Sequence, residues 1–264
     1  MAGEAGPTIA VLGLGEAGSR LCRDLCRAGA RVRGWDPAPR GDVSGLPVVE
    51  SPGEAATGAD LVLSVNAASA ALGAASSVLP VLRPGCVFAD LNTAAPDRKR
   101  ELGRLIDGHG GAFADVALLG PVPRAGIRTP CLASGSGASR FADLMAPYGM
   151  PVEALPGPAG LASARKLLRS VFMKGMAAAV IEALEAAEAH GCREWLEREI
   201  GRELEEADAR LVERLVEGSR AHARRRVEEM EAAAEMVRQA GVTPLVAEAA
   251  AGRLRALLEK ERSR

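Results

Sequence analysis

Aromatic side chains are scarce in this chain. There are seven in 264 residues, and after Phe172 the sole one is Trp195. Base-stacking platforms need several such rings close together, so no nucleic-acid partner is expected. An excess of one charge is missing too: thirty-three basic side chains face thirty-four acidic ones, for a net charge of −1. That balance gives no electrostatic reason to expect nucleic acid or an acidic membrane as partner. No apolar run reaches the length of a membrane span, and the first residues lack a charged-then-apolar secretion pattern. Cysteine is sparse. Cys22, Cys26, Cys86, Cys131 and Cys192 show neither disulfide-framework nor zinc-type spacing, so no metal is expected, and Cys22 and Cys26 read as small core residues on one helix face. These absences together predict a reduced, cytoplasmic protein whose partner is a small molecule.

What is present is concentrated at the start. The apolar run Thr8 to Leu12 leads into Gly13-Leu14-Gly15-Glu16-Ala17-Gly18, which opens an amphipathic stretch ending near Ala30. A second apolar run, Arg31 to Trp35, stops on Asp36. Strand, G-x-G-x-x-G, helix, strand and terminal acid arrive in the order that lets backbone amides and a helix N-terminus hold a pyrophosphate. Gly13 permits the turn, Gly15 leaves room for the phosphates, and Gly18 lets the helix lie close on the sheet. Asp36, eighteen residues past Gly18, is placed to accept hydrogen bonds from the adenosine ribose. A carboxylate there favours NAD over NADP, whose 2′-phosphate it repels. Arg33 and Arg40 flank the position and keep NADP as the alternative. A glycine-rich turn without a ligand is the plain reading that the ordered context argues against.

Through about residue 155, short apolar runs alternate with helical patterns, the signature of an α/β fold with helices on both faces of a parallel sheet. Strands are expected at 8–12, 31–35, 46–49, 60–65, 86–90, 112–117 and 129–134, with helices near 15–29, 53–58, 69–82, 96–109 and 137–147. Pro156-Gly157-Pro158 marks a boundary. Beyond it the chain is rich in Ala, Leu, Glu and Arg with 3.6-residue periodicity and no strand pattern. One long helix is expected over about 160–190, then helices near 193–217, 219–240 and 244–261. The pattern predicts a Rossmann-type doubly wound parallel sheet over 1–157 and an all-α domain over 158–264, for substrate binding and dimerisation.

Later segments fall into a familiar order. Ala89-Asp90-Leu91-Asn92-Thr93 with Pro96, Phe113-Ala114-Asp115-Val116-Ala117 leading to Gly120, Gly157-Pro158-Ala159-Gly160 followed by Lys166, and Gly241-Val242-Thr243-Pro244-Leu245 stand in sequence. The chain resembles the β-hydroxyacid dehydrogenases related to phosphogluconate dehydrogenase, most strongly in its first half and least over 191–240. The resemblance implies an NAD(P)-dependent oxidoreductase interconverting a hydroxyl and a carbonyl on a small, carboxylate-bearing substrate. It places Thr93 by the nicotinamide ribose, Asn66 on the ribose-phosphate side, and Lys166 as general acid/base. There are departures. Leu119 stands where the family's substrate loop carries a serine, Ser170 replaces an asparagine one turn after the lysine, and Glu228-Glu229-Met230 replaces a lysine-aspartate-leucine motif.

The residues themselves allow more than one reading. Ser163, Lys166, Ser170 and Lys174 share one helix face, polar at its start and apolar farther on. On periodicity alone Lys166 and Lys174 are solvated lysines; the resemblance promotes Lys166 to a catalytic role and leaves Lys174 as a neighbouring cation that depresses its pKa. Ser170 is placed to bond the substrate hydroxyl or orient the amine. Asn66 and Thr93 lie at strand carboxyl ends, where ligands bind in open α/β sheets, and also suit turn and cap positions. The proline-stiffened loop Leu119-Gly120-Pro121-Val122-Pro123-Arg124, with Arg128, offers Arg124 or Arg128 as a carboxylate clamp. His222 is a candidate proton donor, from its own or a partner subunit, or one member of a basic exposed helix face. An imine reductase of related architecture and a non-catalytic NAD-binding sensor or subunit are the alternatives. Apolar helix faces in the second domain predict a homodimer packed through them.

Overall fold

The computed structural model describes residues 6–262. The strands β1 (Thr8–Leu12), β2 (Arg31–Trp35), β3 (Leu61–Ser64), β4 (Val87–Asp90), β5 (Ala112–Leu118), β6 (Cys131–Ser134) and β7 (Val152–Ala154) form one seven-stranded sheet in the order β2-β1-β3-β4-β5-β6-β7. With β2 on one side of β1 and β3 on the other, the winding reverses at β1. A crevice opens at the carboxyl ends of the strands at such a switch point.

Pairing is parallel from β2 through β5, but β6 runs antiparallel to β5, with Leu118 opposite Cys131. The expected all-parallel sheet is therefore interrupted. The linking residues 119–130 contain the one-turn helix α5 (Val122–Ala125). The connection carries no long crossover helix of the kind that returns a chain for parallel pairing, and the chain reverses directly into β6. The loop consequently stays at the same carboxyl edge as the crevice.

The expected strand at 46–49 is reduced to a single bridge between Gly34 and Val48. Pro47, lacking an N–H, cannot extend a ladder there. The short β7, pairing parallel with β6, has no counterpart among the expected strands, because three residues beside Pro151 give too little alternation to read.

Helices α1 (Glu16–Arg27), α2 (Pro52–Ala56), α3 (Ala71–Val78), α4 (Pro96–Gly108) and α6 (Ala138–Met145) cover the sheet. Two cores follow from the period-two alternation of the strands. Ile9, Val11, Leu25 and Phe141 pack on one side. Ala10, Leu12, Val62, Phe88, Ile106 and Phe113 pack on the other.

The chain divides into two compact units, Met1–Arg169 and Ser170–Arg264. The division falls inside α7 (Leu161–Ala189), because the first turns of that helix are bonded to the sheet: Gly160 and Ser163 donate their amides to Asp115.

In the second unit the helices are α8 (Arg193–Glu205), α9 (Leu211–Ala221), α10 (Ala223–Gln239) and α11 (Leu245–Arg262). The single helix expected at 193–217 breaks at Asp208, whose carboxylate accepts the Arg210 amide at 3.0 Å and competes with the helical ladder. Glu182 of α7 caps α11, accepting from Val246 N at 2.7 Å and Ala247 N at 2.9 Å. No helix among the described residues is long and apolar enough to cross a membrane.

Candidate functional site

A cleft of about 770 Å³ opens at the carboxyl ends of β1 and β3, lined by Gly13, Gly15, Glu16, Ala17, Asp36, Arg40 and Asn66 among others. The glycine loop is shaped by close approach. Gly13 has φ +103°, and a Cβ on it stands 2.5 Å from the Val65 carbonyl oxygen. A Cβ on Gly18 stands 1.8 Å from the Gly13 carbonyl oxygen, so α1 can start only where no side chain intervenes. Around Gly15 the space is open. No side chain caps the α1 N-terminus, whose amides and dipole suit an anion.

Leu14 and Gly18 are buried behind the cleft. The Leu14 amide donates to Asp36 Oδ2 at 2.7 Å and its carbonyl accepts from Gly41 N at 3.0 Å. Asp36 Oδ1 also accepts from Ala38 N at 2.8 Å. Two amides thus orient the carboxylate at the cleft edge while lone pairs remain for a ligand. Arg33 is engaged elsewhere, donating to the Thr57 carbonyl. Arg40 is the flanking cation that reaches the cleft lining. These residues fit a dinucleotide: an anion-binding turn at one end, a fixed carboxylate at the other.

Lys166, on the second turn of α7, is partly buried, and its Nζ donates to Thr93 Oγ1 at 2.8 Å. The structure therefore brings together two residues singled out separately in the sequence. Asn66 Oδ1 accepts from Asn92 Nδ2 at 2.9 Å. Ser170 and Lys174 follow Lys166 on α7 but belong to the second unit, Lys174 being exposed.

His222 is exposed at the one-residue junction between α9 and α10. Gly120 and Pro121 lead into α5, where Arg124 is exposed, and Arg128 is exposed at the end of the same loop. The loop is clamped to α1: Arg20 Nη1 donates to the Pro123 carbonyl at 3.0 Å, and Asp24 Oδ2 accepts from Ile127 N at 3.0 Å.

Sequence reasoning missed a cluster beneath these residues. Lys99 is fully buried, its Nζ 2.8 Å from Asp90 Oδ2, 3.3 Å from Asp115 Oδ1 and donating to the Asp90 carbonyl at 2.7 Å. Asp115 Oδ1 also accepts from Ser163 Oγ at 2.6 Å. Asn92 donates to Asp90 and to Ser64. A signal existed: Lys99, Leu102, Gly103 and Ile106 form the buried face of α4, so the lysine occupies a core position of a helical stripe.

Burial pushes the Cys22 and Cys131 thiols up to about 12 and that of Cys86 to about 11, which leaves them protonated and unreactive near neutrality. Among the described residues no cluster of His, Cys, Asp or Glu could hold a metal ion.

Comparison with known proteins places the first half of the chain in a known family. Residues 8–147 match the NAD binding domain of 6-phosphogluconate dehydrogenase. Residues 187–257 match a domain of unknown function, DUF1932. A probable 3-hydroxyisobutyrate dehydrogenase of Mycobacterium tuberculosis is 30% identical over 192 residues, which are 70% of this chain and 65% of that protein. The chain thus spans a little under two thirds of that relative. The crystal structure of a conserved hypothetical protein from Sinorhizobium meliloti 1021 is 31% identical, with 96% of this chain and 89% of that one covered at a TM-score of 0.63. An imine reductase from Streptomyces aurantiacus, 18% identical with 94% and 93% covered, has a TM-score of 0.81 and shares the fold.

Proposed function

This chain belongs to the family defined by the NAD binding domain of 6-phosphogluconate dehydrogenase, and on that premise we propose that it is an NAD(P)-dependent oxidoreductase interconverting a hydroxyl and a carbonyl on a small, carboxylate-bearing substrate. The observation that carries the reading is the hydrogen bond from Lys166 Nζ to Thr93 Oγ1, which holds an ammonium at the carboxyl edge of the sheet. A bound nicotinamide supplies the acceptor or donor of hydride. During oxidation the Lys166 amine takes the hydroxyl proton as the carbonyl forms; during reduction its ammonium returns it. Thr93 fixes the amine. Arg124 or Arg128 holds the substrate carboxylate, and Ser170, Lys174 and His222 are further candidates for contact with the substrate. The cofactor contacts proposed are Gly13, Gly15, Glu16, Ala17, Asp36, Asn66 and Thr93, with Leu14 and Gly18 shaping the turn from behind.

The cofactor preference is for NAD. The Asp36 carboxylate is held by two amides at the cleft edge and repels a 2′-phosphate. An imine reductase is the second reading, supported by fold likeness; a cation beside the reacting carbon disfavours it, since reducing an iminium needs none. The free thiols suit a reducing cytoplasm. The second unit exposes Val171, Phe172, Ile181, Trp195, Val212 and Leu215 and an apolar cleft of about 480 Å³, which supports a homodimer through its helices; light scattering finding a monomer at working concentration refutes that.

The test is turnover of 3-hydroxy acids and cyclic imines with NAD and NADP, followed by reduced-nicotinamide absorbance. Oxidation of a hydroxy acid is expected, with Lys166→Ala lowering it by about 10²- to 10⁴-fold while cofactor affinity is kept. Cofactor binding indifferent to substrate, with no turnover of either class, identifies a sensor instead.

A further inference from the structure

We propose that the buried Asp90–Lys99–Asp115 cluster is a positioning device for Lys166, fixing both partners of the Lys166–Thr93 hydrogen bond through a single buried cation. Lysine fills only four of the thirty-three basic positions, at 99, 166, 174 and 260, so this is a chain that otherwise writes arginine. Between two carboxylates a compact ammonium places a point charge on a flexible stem, where a guanidinium needs room for a planar fork. Lys99 Nζ donates to the Asp90 carbonyl and is ion-paired with Asp90 Oδ2 and Asp115 Oδ1.

The register places the two carboxylates side by side. Ser64, Asp90, Asp115 and Ser134 are consecutive partners across β3, β4, β5 and β6, and all four are fully buried. From this row two short tethers lead outward. On one side, Asp90 ends β4 and Thr93 follows three residues later. On the other, Asp115 accepts from Gly160 N, Ser163 N and Ser163 Oγ at 3.0, 3.0 and 2.6 Å. Ser134 Oγ accepts from Ala162 N at 3.0 Å.

Lys166 lies three residues beyond Ser163, one turn on and on the same face. Two carboxylates against one ammonium leave a buried negative charge, and the α7 N-terminus bonded to Asp115 supplies the compensating positive end of a helix dipole. The start of α7 is thereby fixed by charge as well as by packing. Asn92 extends the network toward the cofactor cleft, donating to Asn66 Oδ1 at 2.9 Å.

Lys99, Asp90, Asp115 and Ser163 are positioning residues: they act through Lys166 and Thr93. The proposal rests on the reading of Lys166 as the acid/base, and its test separates the two. The full chain is labelled with 13Cε-lysine, giving four assignable lysine signals. Ser163→Ala and Asp115→Asn are expected to move the Lys166 signal toward its position in Thr93→Ala while leaving Lys174 and Lys260 unmoved, and Ser163→Thr is expected to restore it. With 3-hydroxyisobutyrate and NAD as the probe pair, kcat is expected to fall about tenfold or more in Ser163→Ala with KM and NADH affinity little changed.

An unmoved Lys166 signal in both variants overturns the proposal, even if their melting temperatures drop, since the cluster then only staples the fold. Should Lys166→Ala leave turnover intact while Ser163→Ala shifts the Lys166 signal, the positioning stands and the catalytic reading falls.

Discussion

The first unit buries a cluster of three charged side chains, whereas the ion pairs of the second lie on exposed helix surfaces. In the first, Lys99, Asp90 and Asp115 have no solvent exposure and every one is held by several partners. In the second, Arg202 reaches Glu199 and Glu206 along one exposed helix face, and Arg220 pairs with Glu217 in the same manner. Buried charges offset their lost hydration only with good geometry and extra hydrogen bonds, so they demand a defined structure around them. Exposed helix pairs at i,i+3 and i,i+4 are weak, screened and replaceable. The first unit therefore holds a site in register, while the second uses charge to keep long helices in water.

Substitutions can sharpen this contrast. The largest effect is expected from Lys99→Met, which strands two carboxylates and should destabilise the first unit by about 3–5 kcal/mol in urea unfolding. A stable Lys99→Met protein breaks the comparison. Next is Gly18→Ala, whose Cβ meets the Gly13 carbonyl oxygen at 1.8 Å; about 1–3 kcal/mol of stability and about tenfold of NADH affinity are expected to be lost, the latter read by calorimetry.

The buried thiols come third. Cys22, Cys86 and Cys131 are raised from 9.0 to about 12, 11 and 12. Above pH 9 the unfolded chain releases these protons and the folded one does not, so stability is full below that pH and falls as pH rises toward the folded values, read by urea unfolding across pH. In native protein, alkylation should reach Cys26 and Cys192, which are partly exposed, and spare the other three. Last, Arg202→Gln should leave the urea midpoint unchanged.

Much of the first unit is legible in the sequence. The Gly13–Gly18 motif, the strand leading into it and Asp36 after it are local signals, all within one βαβ unit, and the fold places Gly13, Gly15 and Asp36 on one cleft. Lys166 and Thr93 are readable only as separate candidates, seventy-three residues apart. Lys99 is hidden because it sits in the charged run Asp97-Arg98-Lys99-Arg100-Glu101, where its neighbours are exposed and nothing local distinguishes it. The reversal of β6 is hidden too: its apolar residues look the same in either direction, and the absence of a crossover helix between β5 and β6 shows only in the fold.

Amino-acid order alone determined the dinucleotide-binding turn, the alternation of strands and helices and the change to an all-helical second half, since each depends on residues near one another in the chain. The folded structure decided which distant residues meet. A buried ammonium between two carboxylates, and a lysine bonded to a threonine from another element, depend on strand register and helix placement, which no short segment specifies.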